Sequence, residues 1–216
     1  MKQKIVKTLF SISGEYPPYV VFSDWVRMCA IALANSFSLA EDDVWQSREQ
    51  EYMTLIHKYK PNQWGLFREM REMLSEALAR KMDDALGDIY MGLETKNNKL
   101  KQFFTPYSIC RLAAETAIET ARYTRPNTIY EPTCGSGGMI IATAELLRSK
   151  GINYQKMMRV LAQDLDVLSV SMCYTQLSLL GIDGVVLHGD TLEGPGFESA
   201  NAGALYYTPA RRGILL

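Results

Sequence analysis

Three short segments carry residue types that could hold a ligand: Glu131-Pro-Thr-Cys-Gly-Ser-Gly-Gly138, Ala162-Gln-Asp-Leu-Asp166 and His188-Gly-Asp-Thr-Leu192. In the first, glycines let the backbone turn sharply and let a ligand approach the main chain. A helix starting there would turn its free amides toward that ligand. In the second, a carboxylate at a strand tip can accept hydrogen bonds from both ribose hydroxyls of an adenosine. Asp164 comes first after the strand and is the better candidate, whereas Asp166 fits a helix cap. In the third, Asp190 can accept from an adenine amino group. Each residue alone is more often a turn or cap residue, but three such tips in succession are a pattern. The third glycine of a Gly-x-Gly-x-x-Gly dinucleotide loop is missing, since Ile140 stands there.

These segments need a scaffold that brings strand ends together. From Gln102 onward the chain alternates helical and strand-like stretches. Thr105 and Pro106 can start a helix to about Ala121. Strands are expected at Thr128–Glu131, Arg159–Gln163 and Val185–His188. Helices are expected from the glycine turn to Arg148 and from Val167 to about Leu180. This order implies a parallel sheet with helices on its faces, and ligands at the carboxyl ends of its strands.

Residues before 100 read as helical. Ser23 can cap a helix bearing Trp25, Met28, Cys29, Ala32, Leu33 and Phe37 on one face. A second helix carries Trp45, Tyr52, Ile56 and Tyr59 and stops before Pro61. A third is expected from about Gln63 to Tyr90, with Phe67, Met70, Leu74, Leu78, Met82, Leu86 and Ile89 at helical spacing. Such stripes are core rather than base-stacking surfaces. The polar, lysine-rich stretch 94–101 reads as a linker.

The 216 residues carry a net charge of -1, without the basic excess of a stand-alone DNA-binding domain. DNA contact would therefore be local or supplied by a partner. The four cysteines are widely spaced and form no zinc pattern, so no metal site and no disulfide framework are expected. No stretch is long and apolar enough to span a bilayer, and a soluble cytoplasmic protein is expected.

The motifs together resemble the N6-adenine DNA methylase family, in particular the modification subunits of type I restriction systems. Gln102-Phe-Phe-Thr-Pro106 is similar to the segment preceding the sheet in amino-methylating DNA methyltransferases. The other three segments match the family's cofactor loop, ribose and adenine motifs in order and spacing. Asp84-Ala-Leu-Gly-Asp-Ile-Tyr90 resembles the end of the family's helical N-terminal domain. The resemblance implies a Rossmann-like α/β S-adenosylmethionine-dependent methyltransferase core with a partial parallel sheet, preceded by an α-helical region. A helical region would occupy 1–100. The cofactor-binding domain would occupy 101–216, truncated after the third or fourth strand.

It further implies S-adenosylmethionine as cofactor and adenine-containing double-stranded DNA as substrate. Phe103, Phe104, Thr105 and Pro106 would line the methionine end and one wall of the site. Glu131 would face the ammonium group, with Pro132 and Thr133 in the same loop. Gly135 and Gly137 would let the backbone pass the cofactor, Asp164 would hold the ribose and Asp190 the adenine.

The family's Asn-Pro-Pro-aromatic motif is absent. If Leu205–Tyr207 formed the fourth strand, Thr208 and Pro209 would stand in its place as a degenerate catalytic tip. The half sheet implies a homo-oligomer or a partner subunit. The alternative is a non-catalytic module that binds S-adenosylmethionine or DNA and needs a partner.

Overall fold

A computed structural model describes residues 1–38, 40–94, 104–120, 125–194 and 196–214. The chain opens with helix α1 (Lys2–Ile12), which buries Ile5, Leu9 and Ile12. Helix α2 (Pro18–Ser36) starts five residues before Ser23. Pro18 sets this start, because its fixed φ suits the first helical turn and its missing N–H would be unsatisfied there anyway. Helix α3 (Asp43–Ile56) is capped by Asp42, whose side chain accepts the Trp45 amide at 2.9 Å.

The single helix expected from about 63 to 90 is two. Helix α4 (Trp64–Arg80) ends at Lys81, which is extended, and α5 (Ala85–Glu94) begins four residues later. Asp84 makes the new start, since its Oδ1 accepts the Gly87 amide at 2.9 Å. The apolar spacing continues through the break because both helices face the same core, so periodicity alone merged them. Of the stretch 94–101, read as a linker, Glu94 is the last residue of α5 and 95–101 lie outside the described residues.

Helix α6 (Tyr107–Thr120) leads into β1 (Asn127–Glu131), α7 (Gly138–Ser149), the short α8 (Tyr154–Met157), β2 (Met158–Asp164), α9 (Val167–Leu179), β3 (Asp183–His188) and β4 (Leu205–Tyr207). The sheet order is β1-β2-β3-β4. β1, β2 and β3 are parallel, with Glu131 opposite Ala162 and Asp164 opposite His188. Their carboxyl ends therefore meet at one edge, as the alternating pattern requires.

β4 departs from expectation. It runs antiparallel to β3, with Leu205 opposite Leu187 and Tyr207 opposite Val185. Its end thus lies beside the start of β3, at the opposite edge from the three acidic tips. There the Thr208 hydroxyl donates to the Ile182 carbonyl at 2.8 Å and accepts the Gly184 amide at 3.0 Å. Thr208 is fully buried, and Pro209 is buried beside it. This corrects the reading of Thr208 and Pro209 as a base-holding tip: both stand at the wrong end of the sheet, and the hydroxyl is engaged by backbone. Thr208→Ala is expected to cost about 1–3 kcal/mol in a denaturant melt, through the Gly184 amide left without a partner, with cofactor titrations unchanged.

The helical region holds β4 in place. Tyr206 is buried, and the Arg48 guanidinium lies 4.3 Å from its ring centroid. Arg27, paired with Glu51, donates to the Tyr206 hydroxyl at 2.7 Å, and Arg48 donates to the Leu205 carbonyl at 2.9 Å. One apolar cluster joins Phe22, Trp25 and Leu86 of the helical region to Ile141, Tyr174 and Val186 of the α/β region. Among the described residues no helix is long and apolar enough to cross a membrane.

Candidate cofactor site

The glycine loop between β1 and α7 is shaped by two residues with left-handed backbone, Gly135 at φ +52° and Gly137 at φ +93°. A side chain at either position would be strained. A Cβ on Gly135 would also sit 2.9 Å from the Phe104 ring, and one on Gly137 would sit 3.2 Å from the Cys173 sulfur. The loop is tied to β2 by two hydrogen bonds. The Cys134 amide donates to the Gln163 carbonyl at 2.9 Å, and the Gly135 amide donates to Asp164 Oδ2 at 2.9 Å. Asp164 Oδ1 accepts the Asp166 amide at 2.9 Å, and Asp166 caps α9 through the Ser169 amide at 2.8 Å. Asp166 is thus the cap residue, and Asp164 is the carboxylate of the loop.

Between loop, α6 and the β2 tip lies a cavity of about 300 Å³. Of the residues expected at the site, Phe104, Thr105, Thr133, Gly135 and Asp164 line it. Pro106, Glu131, Pro132, Gly137 and Asp190 are outside its lining. Phe103 lies outside the described residues. Asp190 accepts the Leu192 amide at 2.9 Å and so caps a short turn. Nearby, the Thr191 hydroxyl donates to the Pro132 carbonyl, which ties the β3 tip to the loop. Glu131 is half-buried, and burial raises its pKa, helped by the neighbouring charge of Asp164 and opposed by the Thr133 amide.

The lining also holds residues that sequence reasoning missed, including Asp84, Cys110, Ser136 and Met139. Asp84 is the most consequential. Its carboxylate is buried and accepts the Gly87 amide at 2.9 Å, the Gln176 side-chain amide at 2.8 Å and the Ser136 hydroxyl. Gln176 Nε2 also donates to the Ser136 carbonyl at 2.8 Å, and its Oε1 accepts the Leu86 amide at 3.0 Å. This network fastens the start of α5 to the glycine loop. A Cβ on Gly87 would lie 2.2 Å from Asp84 Oδ2, so the glycine is needed for close approach. The available signal was the four-residue break between α4 and α5, with an aspartate three residues before a glycine.

The electrostatics are one-sided. Among the described residues, the lining contains the carboxylates of Asp84 and Asp164 and no lysine, arginine or histidine. Burial raises the Asp84 pKa, against the hydrogen bonds from Gln176, Ser136 and Gly87. The thiols are unsuited to nucleophilic attack, which requires thiolate. The Cys134 thiol is hydrogen-bonded to Cys173 and buried, and both effects hold it protonated. Burial pushes Cys110 up to about 11. Among the described residues no cluster of side chains is arranged to hold a metal ion. The arrangement is a small acidic cavity under a glycine loop, suited to a ligand with positive charge and hydroxyl groups.

Solved structures resemble the chain in part. A solved structure from Listeria monocytogenes, described as a class I S-adenosylmethionine-dependent methyltransferase, is 13% identical with a TM-score of 0.49. The alignment covers 88% of this chain and 54% of that one. The type I restriction-modification system methyltransferase subunit from Streptococcus thermophilus is 19% identical with a TM-score of 0.46, over 86% of this chain and 42% of that one. The chain therefore spans about half the length of these solved structures. No curated protein matches it. The family model for N-6 DNA methylases matches residues 81–207, more than half of the chain, from the Asp84 segment through the glycine loop and both acidic tips to the end of β4: the chain belongs to the N-6 DNA methylase family.

Proposed function

We propose that the chain binds S-adenosylmethionine and takes part in methylating the exocyclic amine of adenine in double-stranded DNA. The observation that carries the reading is the bond from the Gly135 amide to Asp164, which sets a glycine loop and an acidic strand tip around one cavity. The residues present fit the cofactor. Asp164 keeps lone pairs for the ribose hydroxyls beyond those used by Gly135 and Asp166. Phe104 supplies an apolar wall, and the carboxylates, with no basic partner among the described lining residues, favour a cationic ligand over a phosphate-bearing one.

When bound, S-adenosylmethionine supplies an electrophilic methyl group on a sulfonium. The loop would orient it, and catalysis of this kind works mainly by positioning and charge placement. Asp164 and the turn at Gly135 would hold the cofactor, with Phe104 as the wall beside it.

A second reading has its own support. The base-holding motif is absent from the three carboxyl tips, and Thr208 stands at the opposite edge of the sheet. Among the described residues, β1 pairs with β2 alone. On this reading the chain is a cofactor-binding module, and a partner subunit or second copy completes the DNA-modifying unit. The near-neutral charge also favours a partner for DNA contact.

Calorimetric titration with S-adenosylmethionine tests the cofactor, and no heat would defeat both readings. Tritiated methyl incorporation into unmodified DNA then separates them: incorporation by the chain alone supports the enzyme, and binding without incorporation supports the module.

A further inference from the structure

The network at Asp84 has a chemical consequence beyond holding the loop. A carboxylate offers about four acceptor sites, and Gly87, Gln176 and Ser136 take three of those on Asp84. The remaining site is on Oδ2. A Cβ on Gly138 would lie 3.1 Å from that oxygen, so the glycine keeps a side chain of the loop away from it. Asp84 lines the cavity, yet its own exposure is only 4%. No lysine, arginine or histidine among the described residues pairs with it. All three of its partners are neutral. A buried carboxylate with neutral donors and no cation is electrostatically costly. A ligand bearing positive charge would offset that cost, and a neutral one would not.

S-adenosylmethionine carries one net positive charge, from sulfonium, ammonium and carboxylate together. S-adenosylhomocysteine, left after the methyl group has gone, has lost the sulfonium charge and is neutral overall. We propose that Asp84 is the counter-charge for the cofactor, making the site select the charged cofactor over the neutral product. This rests on the cofactor reading above and assigns Asp84 a role in specificity. The negative charge at the site falls in worth by one full ligand charge when the methyl group leaves, which favours product release.

The test compares three ligands on wild type and Asp84→Asn by calorimetry: S-adenosylmethionine, its positively charged amine analogue sinefungin, and S-adenosylhomocysteine. Asparagine keeps an acceptor for Gly87 and Gln176 and can donate to the Ser136 hydroxyl, so charge is the main change. Asp84→Asn is expected to weaken both charged ligands about tenfold relative to the neutral one, the scale of a partly screened charge pair. Ser136→Ala, which removes a hydrogen bond and leaves the charge, should shift all three alike. Equal weakening of all three by Asp84→Asn would reduce Asp84 to loop support and overturn the proposal. If wild type binds none of them, the cofactor reading itself has failed, a distinguishable result.

Should Asp84→Asn not fold, the wild type still decides. Among the described residues, the ionisable groups near Asp84 are Asp88 on α5 and Cys110 on α6, with Asp83 next to it in the chain and Cys134 and Asp164 lining the same cavity. The preference for S-adenosylmethionine over S-adenosylhomocysteine should shrink as pH falls through the raised pKa of this carboxyl, which burial pushes above the ordinary carboxylate range. A ratio that stays constant down to the lowest pH at which the protein remains folded would overturn the proposal.

Discussion

Asp164→Ala is expected to weaken S-adenosylmethionine binding by about 100-fold or more. Two effects add. The substitution removes the carboxylate that would accept two ribose hydroxyls, and hydrogen bonds to a charged group contribute roughly 1.5–3 kcal/mol each. It also frees the Gly135 and Asp166 amides, now held at 2.9 Å each, so the glycine loop loses one of its two bonds to β2 and keeps that from the Cys134 amide. Asp164→Asn separates the two contributions. The amide retains an acceptor for one of the backbone groups, so the loop stays partly anchored while the charge is gone. Calorimetric affinities for wild type, Asn and Ala should fall in that order, with melting temperatures confirming that each variant is folded. Affinity for Asp164→Ala within about threefold of wild type would remove Asp164 from the binding site, since that is less than one such bond.

Tyr206→Ala should produce the largest loss of stability, about 3–5 kcal/mol, the usual range for truncating a buried aromatic. The ring is 3% exposed and packs against Tyr174 with centroids 5.3 Å apart. Its removal also leaves Arg27 without the hydroxyl it bonds at 2.7 Å and Arg48 without the ring it covers. Both arginines come from the helical region, so the variant loosens the clamp that holds β4 on β3. Tyr206→Phe should lose only about 1 kcal/mol, the value of one hydrogen bond. Urea denaturation measures both. A loss below about 1 kcal/mol for the alanine variant would mean that β4 does not dock as described, because a packed ring cannot be removed so cheaply.

The two substitutions probe parts of the molecule that differed in legibility. The position of Asp164 at the tip of β2 was readable because it is local. A strand, a turn and a helix follow one another within a few residues, and the acidic residue falls at the strand tip by chain order alone. The same holds for Gly135 and Gly137, whose left-handed φ values answer to a turn encoded in consecutive residues. Asp84 was not readable as a site residue. It lies 52 residues from Ser136 and 92 from Gln176, and only packing brings them together. It was hidden further because the apolar stripe of α4 continues in register into α5, concealing the break that Asp84 caps. The placement of Asp190 and Asp166 shows the limit of residue type. Both cap the turn or helix after them, and only Asp164 bonds to the glycine loop.

The alternation of strands and helices after residue 102, the parallel run of β1, β2 and β3, and the loop that begins at their carboxyl edge could all be read from the residues in order. Each follows from period, turn chemistry and chain order, which are local properties. The tertiary structure alone decided where β4 goes. Leu205-Tyr-Tyr207 is apolar and strand-forming on either side of the sheet, and nothing in its own residues selects the edge or the direction. Arg27 and Arg48, more than 150 residues earlier, make that choice by holding Tyr206 and the Leu205 carbonyl against β3. Thr208 is thereby carried to the edge opposite Asp164, because a strand that reverses direction delivers its last residue to the other end of the sheet.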